Sequence, residues 1–391
     1  MRPKHELATI LHRFEQTYLD VYSPCVQVKR TFTSIKACRT SKLGGHKKGC
    51  KKCGTEQISY NSCRNRHCPK CQAVAKERWI MAREAELLDV PYFHIVFTLP
   101  HELNSLALHK PKEVYNALFR ASWKTIAQFA SDPKHLGAKT GMTSVLHTWG
   151  QNLSLHPHLH CIVPAGGISP KGSWILPKKA KSTRKTKYLF PKRALSKVFR
   201  AKYMAELRKE ITIPQATAKT VMSKDWVVYA KRPFMGPKQV VEYLGRYTHK
   251  IAISNHRLLE ISDKRIVFKY KNYKTGGFNQ QMSLAPVEFI RRYAQHILPH
   301  GFVRIRHNGI LASRNKRVDL NKAKEFFNLT AWEPKCVSWE VIAKQKLRIN
   351  PNTCPKCKLQ SLELLEVILP ERGPPKLRKQ TITLPKSNIN A

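Results

Sequence analysis

The stretch LHPHLHCIVPAGG (155–167) sets three histidines, His156, His158 and His160, on alternate positions ahead of an apolar run and two glycines. A strand repeats every two residues, so all three imidazoles share one face. That pattern suits a metal site or a nucleophile with its helpers. The preceding TSVLHTWGQ (143–151) has the same strand character, and a tight link between the two segments predicts a hairpin. Pro157 has no N–H for a ladder, so its strand begins near it or runs along an edge. Two imidazoles at i and i+2 converge on one cation and leave it short of ligands. Across the hairpin Gln151 can offer an amide oxygen, and His156 competes with it as the third protein ligand.

The rest of the chain says what such a site would act on. Its 391 residues suffice for two or three domains, and an apolar fraction of 42% with seven tryptophans argues for folded ones. Seventy-one Lys and Arg stand against 25 Asp and Glu, a formal charge of +46. Repulsion on that scale suits a polyanionic partner, whose condensed counterions basic side chains displace, and nucleic acid is preferred over a membrane surface. No apolar run reaches the roughly 18 residues a bilayer span requires. The opening MRPKHELATILHRFEQTYLDVY reads as an amphipathic helix and not as a signal peptide. The expected setting is the bacterial cytoplasm, at the nucleoid. There, eleven cysteines imply metal or free thiols in place of disulfides.

Six of those cysteines fall in the polar segment CRTSKLGGHKKGCKKCGTEQISYNSCRNRHCPKCQ (38–72). Cys38, His46, Cys50, Cys53, Cys63, His67, Cys68 and Cys71 are eight thiolate or imidazole ligands, enough for two tetrahedral zinc shells. So polar a segment cannot build its own core, and structural Zn²⁺, one or two ions, supplies its folding free energy. The pairing of ligands is not readable from spacing. Downstream, Cys354 and Cys357 form another CPKC pair accompanied only by Cys336, and a third zinc or a turn with two free thiols both fit. Lys47, Lys48, Lys51, Lys52, Arg64, Arg66 and Lys70 make the zinc segment a DNA-contacting candidate.

Between these landmarks the pattern predicts helices over 73–90, 103–131, 192–209, 237–248 and 289–298, with a central strand over 93–100. IAISNHRLLEI and RIVFKYKNY read as paired strands, and the Pro- and Lys-rich C-terminal tail as mobile. On the 237–248 helix Tyr243 and Tyr247 stand one turn apart on one face, in a basic setting of Arg246, His249 and Lys250. A phenol with a pKa near 10 can attack phosphorus if a divalent ion polarises the phosphate and a basic field aids deprotonation. Lys250 can lower the tyrosine pKa or hold a flanking phosphate.

This combination resembles the HUH endonucleases, and more closely the two-tyrosine rolling-circle insertion-sequence transposases, the IS91 family. HTWGQNLSLHPHLHCIVPAGG (147–167) is similar to the family's metal motif, with His158-Leu159-His160 as its core. VEYLGRYTHKIAISNHRL (241–258) resembles its tyrosine motif, SCRNRHCPKCQ (62–72) its N-terminal zinc-binding domain and GFVRIRHNG (301–309) a distal segment, although Asn308 stands where the family tends to carry an aromatic. The likeness spans most of residues 15–315.

The resemblance implies that His158 and His160 bind Mg²⁺ or Mn²⁺ and that Tyr243 and Tyr247 are nucleophiles. It implies a DNA transposase and single-strand endonuclease that forms a 5′-phosphotyrosine and frees a 3′-hydroxyl, driving rolling-circle-like transposition. The expected fold is α/β (α+β), a central antiparallel sheet of ferredoxin or palm type behind a small zinc-binding domain. Boundaries are expected at 1–90 for the N-terminal helix and zinc domain, 91–315 for the catalytic domain and 316–391 for a basic C-terminal region. The partner is DNA, as single-stranded or hairpin transposon ends and target, with Arg291, Arg292, Arg304 and Arg306 as phosphate contacts and Trp123, Trp149, Trp174 and Trp226 as stacking platforms. The oligomeric state stays open, a homo-oligomer included.

Rival readings explain less. A histidine-triad nucleotide hydrolase leaves the zinc segment and tyrosine helix without work. A carboxylate transposase needs acidic residues for two metals, and the six aspartates stand in no distinctive motif. A replication initiator or relaxase shares the tyrosine–metal chemistry, and a non-catalytic zinc DNA-binding protein would use the basic zinc domain alone.

Overall fold

The computed structural model describes residues 3–177, 189–230, 239–240, 245, 248–272, 276–334 and 337–371. Two helices, α1 (Leu7–Val21) and α2 (Val26–Ala37), lead into a hairpin of β1 (Gly45–Cys50) and β2 (Glu56–Tyr60). α3 (Gln72–Glu84) starts directly after Cys71, shorter than the sequence pattern suggests. Next comes β3 (Tyr92–Thr98), bracketed by Pro91 and Pro100. Lys110 breaks the following helical stretch into α4 (Asn104–His109) and α5 (Pro111–Ser131), Pro111 standing at the first position of the second. β4 (Gly141–Trp149) and β5 (Leu155–Pro164) form the expected hairpin. A short ribbon of β6 (Gly167–Ile168) and β7 (Trp174–Ile175) precedes α6 (Lys192–Arg208), α7 (Gln215–Ser223) and β8 (Val228–Ala230).

The chain continues as an antiparallel sheet of β9 (Leu258–Ile261), β10 (Ile266–Asn272) and β11 (Phe278–Leu284), then α8 (Pro286–Ala294) and β12 (Ile305–Gly309). Near its end come α9 (Asn321–Phe326), α10 (Trp339–Gln345) and β13 (Leu362–Ile368).

The main sheet is antiparallel throughout, in the order β12-β4-β5-β3-β8. β5 therefore lies at its centre, and Pro157 sits near the strand's beginning and not on an edge. Alternation sorts the two faces. Phe93, Ile95, Phe97, Leu146, Leu159 and Cys161 meet Val114, Leu118 and Phe119 of α5 and Phe199 and Tyr203 of α6 in the largest apolar core. The other face carries His94, Thr143, His147, His158 and His160. α3 reaches over that face: Arg83 donates to Nε2 of His307 at 2.7 Å, and His307 Nδ1 lies 2.9 Å from the Thr143 hydroxyl.

A second core joins α1, α2 and α8 to the β9–β11 sheet through Leu11, Phe32, Phe268, Phe289 and Tyr293. β13, in the region expected to be separate and basic, instead pairs with β1 from Gly45↔Ile368 to Cys50↔Leu362. The C-terminal tail lies outside the described residues from 372 onward. Among the described residues no helix is long and apolar enough to cross a membrane.

Gly309 ends β12 with φ +63°, and a Cβ there would lie 1.9 Å from the Thr140 carbonyl oxygen. Gly309→Ala is expected to destabilise the fold by at least about 2 kcal/mol, read as a lowered denaturant midpoint.

Candidate metal and nucleic-acid site

Hairpin register builds the histidine cluster. His147 on β4 pairs directly with His158 on β5, and His160 follows on the same face. Side chains so opposed have Cβ atoms about 5 Å apart, close enough for both rings to face one point. One ring nitrogen from each of His147, His158 and His160 lies within 4.8 Å of the other two. The ring centroids are 5.5 Å apart for His147 and His158, 4.6 Å for His147 and His160, and 4.9 Å for His158 and His160.

Hydrogen bonds and stacking fix how the rings are turned. His158 Nδ1–H donates to the carbonyl of His156 at 2.7 Å, leaving Nε2 with its lone pair. His160 Nδ1 bonds His94 Nε2 at 2.9 Å with the two rings stacked, which fixes the orientation of the His160 ring. Trp149 stacks on His147 at 4.7 Å and limits its tilt. Burial pushes His158 down to about 4 and His160 well below the usual histidine range. Both are thus neutral at physiological pH, the state that ligates metal. Among the described residues no carboxylate joins the group.

His156 is exposed and outside the three-nitrogen group. Gln151 lies in the β4–β5 turn, where its main-chain carbonyl accepts from Arg257. The third ring of that group belongs to His147. Counting residues through the hairpin turn would have found it, since the residue opposite His158 is fixed once the turn is centred on 152–153.

Tyr243 and Tyr247 lie outside the described residues, as does Arg246. Their described neighbours are ordered against α3 and β12. Gly245 has helical backbone, and a Cβ there would meet Ile80 of α3 at 2.5 Å. Arg304 donates to the carbonyls of Thr248 at 2.8 Å and Lys250 at 3.3 Å. Lys250 is near enough for its charge to depress His158 and His160. Its own ammonium is held below the usual lysine range by desolvation and by Arg257 and Lys271.

Several expected DNA contacts are engaged in the fold. Arg304 is buried, and Arg306 stacks over Phe119 at 4.1 Å. Arg291 and Arg292 both bind Glu288. Trp149, Trp174 and Trp226 are core residues, and Trp123 is half-buried against the main core.

The cysteines gather into a first shell of Cys38, Cys63, Cys68 and Cys71, all four sulfurs within 4.8 Å of one another. Cys71 Sγ is 3.3 Å from that of Cys38 and 3.6 Å from that of Cys63, near the roughly 3.8 Å edge of a tetrahedral zinc–thiolate site. This shell fits Zn²⁺ and lies against the second apolar core. Cys50 and Cys53 stand apart from it, beside Cys354 and Cys357. His46 and His67 belong to neither group. His67 is buried, its Nε2 already accepting from the Leu298 N–H at 3.3 Å and its carbonyl from the Tyr293 hydroxyl at 2.9 Å. His46 sits on β1 facing Trp339 and Ile349 across a cavity. Cys336 lies outside the described residues.

Comparison with known proteins matches residues 141–318 to the family described as "Putative transposase" and residues 10–99 to "Transposase zinc-binding domain". The chain is 38% identical to "Putative transposase y4qJ" of Sinorhizobium fredii, over 95% of its own length and 97% of the relative's. It is 29% identical to the transposase for insertion sequence element IS801 of Pseudomonas savastanoi pv. phaseolicola, over 84% of this chain and 81% of that one. A solved structure of TrwC complexed with a 27-mer DNA comprising the recognition hairpin and the cleavage site shows 17% identity and a TM-score of 0.22, covering 32% of this chain and 48% of that one.

Burial also makes the fold acid-sensitive. It lowers His296 to about 4 and His307 to about 3, below the ordinary value near 6.5. Between those limits the unfolded chain binds protons that the folded chain refuses, so stability falls as pH drops from about 6.5 toward 4. Urea midpoints should decline over that window, and His296→Gln should make the decline shallower.

Proposed function

We propose, because this chain belongs to the IS91 family of insertion-sequence transposases, that it transposes DNA by nicking and rejoining single strands through a 5′-phosphotyrosine. The observation that carries this reading is the three-imidazole cluster of His147, His158 and His160, with Lys250 close enough to sense it and Tyr247 three residues earlier in sequence. The donor set fits a divalent ion with positions left for phosphate oxygens. An imidazole-only shell is softer than Mg²⁺ prefers and ranks Mn²⁺ ahead of it. When bound, the ion supplies neutralisation of the charge that grows on the phosphate in the transition state.

The chain's own groups do the rest. The phenolic oxygen of Tyr243 or Tyr247 attacks phosphorus in line, forming the tyrosyl O–P bond as the P–O3′ bond breaks. The phenolic proton leaves and the 3′-oxygen ends as a hydroxyl. Lys250, its ammonium already destabilised, sits in a field that favours the phenolate and a flanking phosphate. A second tyrosine permits a second cleavage while the first end is still held. The substrate is single-stranded or hairpin DNA, because a phosphodiester inside stacked duplex is hard to present to a helix face. Such work belongs in the bacterial cytoplasm, at the nucleoid.

With Mn²⁺ and labelled single-stranded DNA carrying a transposon end, wild type should form a denaturant-resistant covalent adduct. The Tyr243→Phe/Tyr247→Phe double variant should form none, and each single variant should retain one cleavage. Binding without adduct across metals and substrates would replace this reading with a passive zinc DNA-binding role.

The same cluster predicts a ranking of metal affinity. His147→Ala should weaken Mn²⁺ binding, measured by calorimetry, at least about tenfold, whereas His156→Ala should leave it nearly unchanged.

A further inference from the structure

Two of the eight expected zinc ligands, Cys50 and Cys53, find their partners at the far end of the chain. Their sulfurs and those of Cys354 and Cys357 all lie within 4.8 Å of one another. Cys50 Sγ is 3.6 Å from Cys357 Sγ, and Cys53 Sγ is 3.6 Å from Cys354 Sγ. Those spacings approach the roughly 3.8 Å edge of a tetrahedron of sulfurs around zinc, and they are far longer than a disulfide bond of about 2 Å.

The backbone at the two pairs is the same. In CKKCG the Gly54 N–H donates to the Cys50 carbonyl at 2.9 Å, and in CPKCK the Lys358 N–H donates to the Cys354 carbonyl at 3.0 Å. The Cys50 N–H bonds the Thr55 carbonyl at 3.0 Å, and the Cys354 N–H bonds that of Leu359 at 2.8 Å. Gly54 and Lys358 both take left-handed backbone, with φ +69° and +63°. A lysine adopts that conformation at a cost, which fits a turn dictated by what its cysteines grip. Two equal turns thus face each other, each offering a pair of sulfurs.

We propose that Cys50, Cys53, Cys354 and Cys357 hold a second structural zinc ion that clamps the C-terminal segment onto the N-terminal module. The clamp has built surroundings. β13 completes the sheet beside β1, Lys51 pairs with Glu363 at 2.5 Å, and Lys48 Nζ donates to the Pro351 carbonyl at 2.9 Å. The same segment reaches α3 through α10 and through the pair of Lys346 with Glu84 at 3.2 Å. α3 in turn carries Ile80 and Arg83, which meet Gly245 and His307. The second ion therefore braces α3 through Glu84 at its last residue, whereas the first holds Cys71 just before its start.

Elemental analysis of the purified full-length chain, with every protein carrying His147→Ala/His158→Ala so that the imidazole cluster takes up no zinc, should find two zinc ions per chain. The Cys354→Ser/Cys357→Ser and Cys50→Ser/Cys53→Ser variants should each hold one, and His46→Ala should still hold two. In the Cys354→Ser/Cys357→Ser variant, hydrogen exchange should speed up in Gly45–Cys50 and stay slow in β4 and β5. Should that variant fail to fold, cadmium NMR of the metal-exchanged wild type decides, two tetrathiolate signals supporting the clamp and one overturning it. In the His147→Ala/His158→Ala background, a chain with four native clamp cysteines that holds one zinc, or a Cys354→Ser/Cys357→Ser variant that keeps two, overturns it as well.

Discussion

In an antiparallel hairpin the turn alone determines which side chains stand opposite each other. Here the turn after Trp149 sets His147 against His158, and the alternation of β5 adds His160 to the same face. Shifting that register by one residue would turn His158 and His160 into the apolar core and bring Leu159 and Cys161 out to the face that α3 reaches over. The hydrophobic face prevents it: Leu146, Leu159 and Cys161 are almost wholly buried under α5 and α6. Packing on one side of the sheet thereby holds the imidazoles in place on the other.

The strongly basic chain places His158 and His160 where they cannot easily become charged. Burial keeps His158 and His160 neutral, and neighbouring cations reinforce the effect. A cluster that refuses protons still accepts a divalent ion, because coordination repays desolvation where a lone proton on each ring would leave several like charges crowded together. Around it, other basic groups are drawn into the fold. Arg304 ties the backbone at 248–250 to β12, and Arg83 fixes His307 across from Thr143. These guanidinium groups are thus spent on the fold's own contacts.

Local patterns in the sequence carried much of this. Strand alternation in 143–164 foretold the hairpin, the apolar run at 93–98 its neighbour, and Pro111 and Pro286 the starts of two helices. The first zinc shell was largely present in the cysteine spacing of 38–71. Whatever depended on distant segments meeting was hidden. His147 needed the turn to be counted, His67 was spent on hydrogen bonds to Leu298 and Tyr293, and Cys50 needed partners that a local reading leaves as an isolated pair. Arg304 and Arg306 looked like surface charges because sequence composition carries no record of burial.

The pairing of β1 with β13 has a bearing on how the molecule is made. Cys50 and Cys357 are separated by 307 residues, so β1 leaves the ribosome long before the strand that completes its sheet exists. While the polypeptide is nascent, β1 can pair only with β2, whose residues are exposed along their whole length. Closure of the N-terminal sheet then reports that translation has passed the main sheet and delivered β13, and a product terminated before β13 is left with an open edge.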